Sequence, residues 1–366
     1  MLVVGTRPEA IKMAPVIKQA QGSGWMDCCV VATAQHRHLL DQVLAQFGVA
    51  VDHDLNLMTA GQTLAEITSR SIAALDRVIE MEQPELVIAQ GDTTTTFTAA
   101  LAAFYRGIPF AHVEAGLRTS DLQNPFPEEF NRQATSKITR FHFAPTEGAR
   151  EALLAEGVDP GDILVTGNTV IDALLMTVSP DLARRPTGRV RKMLLTIHRR
   201  ENFGEPLRKV GAAIRELLAR EPDLQIVWPV HPNPNVYAYA HEQFDGHPRV
   251  KLVEPLEYAE FVNAMADAHF IVTDSGGVQE EAPALARPVL VLRATTERPE
   301  AIDTGVARLV GTDTQAIVMA VQSLMHDTGV YAGMAKGISP YGDGKAAGRI
   351  IERLAESFAI SEGSKK

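Results

Sequence analysis

HFIVTDSGGVQEEAPAL, residues 269–285, decides the architecture. Its first half is a short apolar run with aromatic and β-branched residues, the composition of a buried strand. The run ends at Asp274, and Ser275-Gly276-Gly277 leads into a helical stretch. A strand that passes through a glycine turn into a helix is the βα unit of a parallel sheet. Adjacent glycines at that point let backbone amides approach an anion at the helix start. Glu280 and Glu281 follow one turn on. A carboxylate at the distance of Glu281 suits a ribose diol, which donates two hydrogen bonds; the plainer reading is that both acids only complement the helix dipole.

The same unit recurs along the chain. Strands are expected near 2–4, 28–33, 85–90, 110–114, 141–145 and 163–166, then near 193–197, 225–230, 250–253, 269–273, 288–292 and 307–310, with amphipathic helical stretches between them. The stretch ALLMTVSPDLARRPTGRVRK that separates the two sets reads as a helix tail followed by a linker. The expected fold is therefore α/β, with two Rossmann-like, doubly wound domains facing each other across a cleft. The first domain is expected over 1–170 and the second over 171–366. The last helix, roughly 344–358 with Ile350, Ile351, Leu354 and Phe358 on its apolar side, is able to pack on either. Only Leu2, Val3 and Val4 precede Gly5, a short first strand against the usual length of about five residues.

A chain of 366 residues can bury two substantial cores, and 45% hydrophobic with 22% charged residues is a soluble globular composition. The net charge of −10 argues against nucleic acid as a partner, though not against a small anion held by a few local cations. Cys28 and Cys29, adjacent in an apolar run, read as small core residues, consistent with a reducing cytoplasm. No charged leader and no apolar run of membrane-span length is found, so no membrane partner is expected.

Ligands of open parallel sheets bind beyond the carboxyl ends of strands. Arg7 and Glu9 follow the first strand, and Gln35-His36-Arg37 the second. Asp92 and four threonines follow LVIAQ, and Glu114 follows FAHV. His198-Arg199-Arg200-Glu201 follow LLTI, and His231 follows IVWPV. Asp274 precedes the glycine turn, and Arg293 and Arg298 follow VLVL. Charged residues after so many strands point to a cleft that holds a polyanion and does acid–base work. There is no GxGxxG, GxxxxGK[ST] or HExxH, which argues against dinucleotide, P-loop and zincin chemistry.

The stretches GTRPEAIKMAP (5–15), TAQHR (33–37), GDTTTT (91–96), HVEAGLRT (112–119), PFPEEFNR (125–132), GNTVIDAL (167–174), HRREN (198–202), TDSGGVQEEAP (273–283), TTERPEA (295–301) and PYGDG (340–344) together resemble the bacterial non-hydrolysing UDP-N-acetylglucosamine 2-epimerases. The likeness runs from residue 1 to about 355. It implies a glycosyltransferase-B-like pair of domains, usually a homodimer, and reversible conversion of UDP-GlcNAc to UDP-ManNAc in the cytoplasm, supplying cell-surface polysaccharide, with neither metal nor nicotinamide. It also implies the route: UDP leaves C1 while C2 loses its proton, and UDP adds back to 2-acetamidoglucal with protonation on the other face.

For catalysis the resemblance implies Asp92, Glu114, Glu128, Arg132 and His198. Asp92 and Glu114 end neighbouring strands and can converge at one sheet edge. Glu128 by itself reads as a dipole charge, and Arg132 as its i,i+4 partner; which carboxylate is acid and which base stays open. Substrate contacts are implied for Arg7, Lys12, Phe261, Ser275, Gly276, Gly277, Glu281 and Arg298. Phe261 would by pattern be core, but its counterpart lies against uracil. Leu256 stands where relatives often carry a polar residue, which leaves a backbone contact there. Many members are activated by UDP-GlcNAc beside the active site. That implies Gln35, His36, His38, Gln62, Arg199 or Arg200, and His231, together with Glu128, although His38 and Gly61 depart from the usual residues. A hydrolysing epimerase, a glycosyltransferase of the same fold and a silent nucleotide-sugar sensor are the alternatives. The three carboxylates argue against the last two.

Overall fold

The structure, a computed structural model, describes residues 1–33, 37–59, 61–119, 121–182, 188 and 190–363. It divides into two compact units, residues 1–176 with 342–366 and residues 177–341. The sequence had suggested 1–170 and 171–366.

Among the described residues the first unit holds seven strands: β1 Leu2–Val4, β2 Val30–Ala32, β3 His53–Asp54, β4 Val87–Gln90, β5 Phe110–Val113, β6 Phe141–Ala144 and β7 Ile163–Val165. They form one parallel sheet in the order β3-β2-β1-β4-β5-β6-β7. The second unit holds β8 Arg191–Thr196, β9 Leu224–Pro229, β10 Val250–Val253, β11 Phe270–Thr273, β12 Val289–Val291 and β13 Ala307–Leu309. These are also parallel, in the order β10-β9-β8-β11-β12-β13. Two doubly wound α/β units are what the alternating pattern predicted. The strand order reverses between β1 and β4 in one sheet and between β8 and β11 in the other. Those reversals open a crevice at the carboxyl ends of the central strands.

One strand escaped the sequence reading. β3 is two residues long, pairs with β2 at the sheet edge and is partly exposed, so it carries no apolar run to betray it. The cysteines also differ from expectation: both are free and half-buried, and Cys29 only borders the core.

Packing follows from the strand composition. Val3, Val31, Val87 and Phe110 pack with Leu75, Val78 and Ile79 of helix Leu64–Glu82 and with Ala99, Ala100 and Ala103 of helix Thr94–Tyr105. In the second unit Trp228, Phe244, Phe270 and Leu195 meet Ile214, Leu217, Val318 and Val321. Each such large side chain contributes about 1.5–3 kcal/mol on burial.

The last helix, Ala346–Gly363, lies in the first unit against helix Arg7–Gly22, with Ile350 and Leu354 fully buried. It starts at Ala346, not 344, where the Asp172 carboxylate accepts the backbone N–H of Ala346 at 3.2 Å and of Ala347 at 2.9 Å. Among the described residues no helix is long and apolar enough to cross a membrane.

Candidate functional site

The turn after β1 leaves no room for a side chain. A Cβ on Gly5 would meet the Thr95 hydroxyl at 2.2 Å and the Thr33 hydroxyl at 2.6 Å. Thr6 then caps helix Arg7–Gly22 in a capping box with Glu9. The Glu9 carboxylate accepts the N–H of Gly5 at 2.6 Å and of Thr6 at 2.8 Å, and the Thr93 hydroxyl bonds its other oxygen. Glu9 thus ties the turn after β1 to the turn after β4. Burial pushes its carboxyl up, against the bonds from Thr93, Gly5 and Thr6.

Lys12, a turn further into that helix, points to the end of β5. Its Nζ lies 2.8 Å and 2.6 Å from the two oxygens of Glu114. Gln90 donates to the same carboxylate, as does Asn168 at 3.1 Å. Glu114 is buried and has φ of +64°, a left-handed backbone that a non-glycine residue adopts at a cost of about 1–3 kcal/mol. The strain aims its side chain at the sheet edge.

Asp92 follows β4 at the same edge. Arg132 donates to its carboxylate at 2.8 Å, and Asn131 to its backbone carbonyl at 2.9 Å. Burial pushes the Asp92 carboxyl up; the Arg132 guanidinium opposes this, Glu114 adds to it and Lys12 opposes it. Arg132 does not make the i,i+4 pair with Glu128 that its spacing alone would allow. Its second partner is Glu129, fully buried, at 3.1 Å, because the start of helix Glu128–Ser136 turns Glu129 inward, where it also accepts the N–H of Thr119. Glu128 is half-buried, and its side chain makes no hydrogen bond or ion pair with other described residues; the same holds for Arg7. The first sheet edge therefore carries Arg7, Lys12, Asp92, Glu114, Glu128 and Arg132 on the turns and helix starts around β1, β4 and β5.

The second unit repeats the arrangement at β8 and β11. His198 follows β8 and Asp274 follows β11. Nδ1 of His198 lies 2.7 Å from Oδ1 of Asp274. Ser275 precedes the short helix Gly276–Glu281, with Gly276 partly and Gly277 largely exposed. A Cβ on Gly276 would stand 3.8 Å from the Arg298 guanidinium and 3.9 Å from that of Arg199, so two cations flank the glycine turn.

The paired acids after that turn have separate partners. Glu280 is buried and bonds Nε of Arg298. Glu281 is buried and accepts the Tyr258 hydroxyl at 3.5 Å. Neither is a mere dipole charge. Beyond them, Glu297 takes two bonds from Arg293, at 2.6 Å and 2.9 Å, and its carboxyl is pushed down to about 2, chiefly by those bonds. Phe261 is partly exposed on helix Tyr258–Asp267, not core. Leu256 lines an apolar cavity of about 450 Å³ with Val253, Leu194 and Ala264.

Of the residues implied for activation, Gln35 and His36 lie outside the described residues, as does the side chain of His38. Gln62 is held by Arg70 and by the Thr59 amide at 3.2 Å. Arg200 is exposed at a 3-10 turn. The His231 ring stands 6.2 Å from that of His198, and burial, then His198, pulls its pKa down. At the opposite edge of the first sheet Cys29, His53 and Glu82 bring three metal-capable atoms within 4.8 Å of one another. Nε2 of His53 is already 2.8 Å from Glu82 there.

Sequence reasoning gave Glu9 and Asp274 only as strand-end acids with no role of their own, and passed over Gln90, Glu129 and Asn168. Glu9 stands three residues after Thr6, the capping-box spacing, and Asp274 ends a strand. Gln90, Glu129 and Asn168 carry no local signal.

Residues 18–355 match the family model described as UDP-N-acetylglucosamine 2-epimerase. The chain is 50% identical, over 97% of its length and 94% of the relative's, to the UDP-N-acetylglucosamine 2-epimerase of Bacillus subtilis. It superposes on the UDP-GlcNAc 2-epimerase of Neisseria meningitidis bound to UDP-GlcNAc with a TM-score of 0.86, at 46% identity, covering 97% of this chain and 99% of that one. The S. aureus MnaA–UDP co-structure gives a TM-score of 0.87 at 43% identity, covering 98% and 96%.

Proposed function

The chain belongs to the UDP-N-acetylglucosamine 2-epimerase family, and we propose that it interconverts UDP-GlcNAc and UDP-ManNAc. The observation that carries the reading is the alternation of carboxylates and cations at the first sheet's edge: Lys12 on Glu114, Arg132 on Asp92, and Glu128 at the head of the same helix as Arg132.

The chemistry requires such a set. The hydrogen on C2 is too weakly acidic for simple abstraction. It leaves as a proton to a carboxylate while the C1–O bond breaks toward UDP, giving 2-acetamidoglucal. UDP then adds back at C1, and a proton enters C2 from the other face. Donors and acceptors must be held near C1 and C2. Glu114, with donors on three sides, is committed to accepting hydrogen bonds. Burial pushes the Asp92 carboxyl up, toward holding a proton, and suits it to hand one to the sugar. Glu128 completes the three, and Arg7 is the cation left for substrate. In the second unit Ser275, Gly276 and Gly277 take the diphosphate with Arg298 and His198, Glu281 takes the ribose, and Phe261 with the backbone at Leu256 takes the uracil.

The enzyme works in the cytoplasm, as its nucleotide-sugar substrates do, and its product feeds cell-surface polysaccharide. It is a homodimer, a reading supported by the exposed Met81, Phe104 and Tyr105 at the ends of two packed helices; sedimentation at working concentration tests it. UDP-GlcNAc also acts as an activator through Gln62, Arg199, Arg200 and His231. A sigmoidal rate curve, and a lag with pure UDP-ManNAc, are expected.

Incubation with UDP-GlcNAc in D₂O tests the reaction. Deuterium at C2 with UDP-ManNAc appearing and little free UDP is expected. Stoichiometric UDP release would replace this reading with a hydrolysing epimerase.

A further inference from the structure

Asp274 is fully buried, and its carboxylate is saturated with donors. Oδ2 accepts the backbone N–H of Arg199 at 3.0 Å, the Asn202 side-chain amide at 2.9 Å and the His198 N–H at 3.1 Å. Oδ1 faces the His198 ring, with Nδ1 at 2.7 Å, and also takes the His198 N–H at 3.1 Å. Burial opposes ionisation, but the bond from His198, its charge and the bonds from Arg199 and Asn202 outweigh it and hold the carboxyl below its ordinary range. Asp274 is therefore a carboxylate, an acceptor only, and the ring nitrogen beside it must carry the hydrogen. The His198 side chain is otherwise 42% exposed, so the second nitrogen is free to face a ligand.

We infer that Asp274 is a positioning residue for the epimerisation, fixing the His198 ring with its hydrogen on Nδ1 and presenting bare Nε2 to the nucleotide sugar. The inference rests on the reading that His198 faces UDP. Nε2 takes a proton from solvent and gives it to a diphosphate oxygen as the C1–O bond breaks, and that oxygen returns it to Nε2 when UDP adds back to C1. A ring fixed by a buried acceptor needs no reorientation between the two steps.

Asp274→Asn tests this with a readout that a merely structural role would not move. The Oδ2 side faces three N–H donors, so the single amide oxygen stays there. The NH₂ group is then turned to Nδ1, and the ring hydrogen is forced to Nε2. In ¹⁵N NMR of histidine-labelled enzyme at neutral pH, wild-type His198 is expected as the Nδ1–H tautomer and the variant as Nε2–H. The kcat of the variant is expected to fall on the order of 10²–10⁴-fold, with a much smaller change in UDP affinity. Wild-type kcat in a folded variant, or an unchanged tautomer, overturns the inference.

The wild type alone keeps it falsifiable if the variant does not fold. If UDP shifts the Nε2 signal but the hydrogen sits on Nε2, the inference about Asp274 is wrong. If UDP leaves the Nε2 signal unmoved, the placing of His198 at the nucleotide is wrong, and Asp274 loses its function with it.

Discussion

Lys12 donates from Nζ to both oxygens of Glu114, at 2.8 Å and 2.6 Å, joining the first helix to the end of β5 across 102 residues of sequence. The contact places a cation against a buried carboxylate held on a left-handed backbone. Lys12→Met is expected to lower kcat by roughly 10²-fold or more. It is also expected to cost up to about 3 kcal/mol of stability, because Glu114 is left buried without its cation. Steady-state rates and a urea titration check both; unchanged kcat would remove Lys12 from the site.

Arg7 and Glu128 behave differently. Neither side chain pairs with another described residue, so neither supports the fold. Arg7→Ala and Glu128→Gln are expected to melt within about 0.5 kcal/mol of wild type. Activity should nevertheless fall, by roughly 10²–10⁴-fold for Glu128→Gln. Parallel loss of stability and activity would count against a substrate role.

Two glycines near the site separate backbone strain from steric clash. Gly116 has φ of +92°, and a Cβ there would lie 2.2 Å from the Ala149 carbonyl oxygen. Gly91 has φ of +87° and open space around it. Gly91→Ala is expected to cost about 1–2 kcal/mol, and Gly116→Ala about 3 kcal/mol or more. Urea midpoints of the two variants should fall in that order; equal losses would show that the contact with Ala149 relaxes freely.

Three buried histidines set an acid limit. Burial pulls His112, His142 and His269 each down to about 4. Each keeps one ring nitrogen buried without a partner among the described residues, so a second N–H has no acceptor. In the unfolded chain these rings take up protons below about 6.5. The unfolded state then binds more protons than the folded one, and stability falls as pH drops from about 6.5 to about 4. Each ring contributes a slope of up to roughly 1.4 kcal/mol per pH unit. Calorimetry in buffers of different ionisation heat should register proton uptake on unfolding near pH 5. No uptake there would refute the assignment.

Much of the architecture was legible from local pattern. Apolar runs ended by glycine and charged residues marked twelve of the thirteen strands among the described residues, and β3 was missed because two polar edge residues make no run. The positions that follow the central strands were legible too, since a turn lies where a strand ends. Their partners were not. Arg132 stands four residues from Glu128 but pairs with Glu129 and Asp92, because the helix start faces Glu129 inward. Asp274 read as one more strand-end acid, and nothing near it in sequence foretold His198, 76 residues away.

Sequence alone determined the two parallel sheets, the glycine turns and the set of acids and cations at strand ends. These depend on periodicities of two and 3.6 residues and on backbone angles, which are local quantities. Tertiary structure alone decided that Lys12 meets Glu114, that Asp274 meets His198, and that the last helix returns to the first unit. Those contacts follow from strand order. That order is set by how helices pack across each sheet, and hydrophobic burial, being non-directional, leaves no mark of it at any single position.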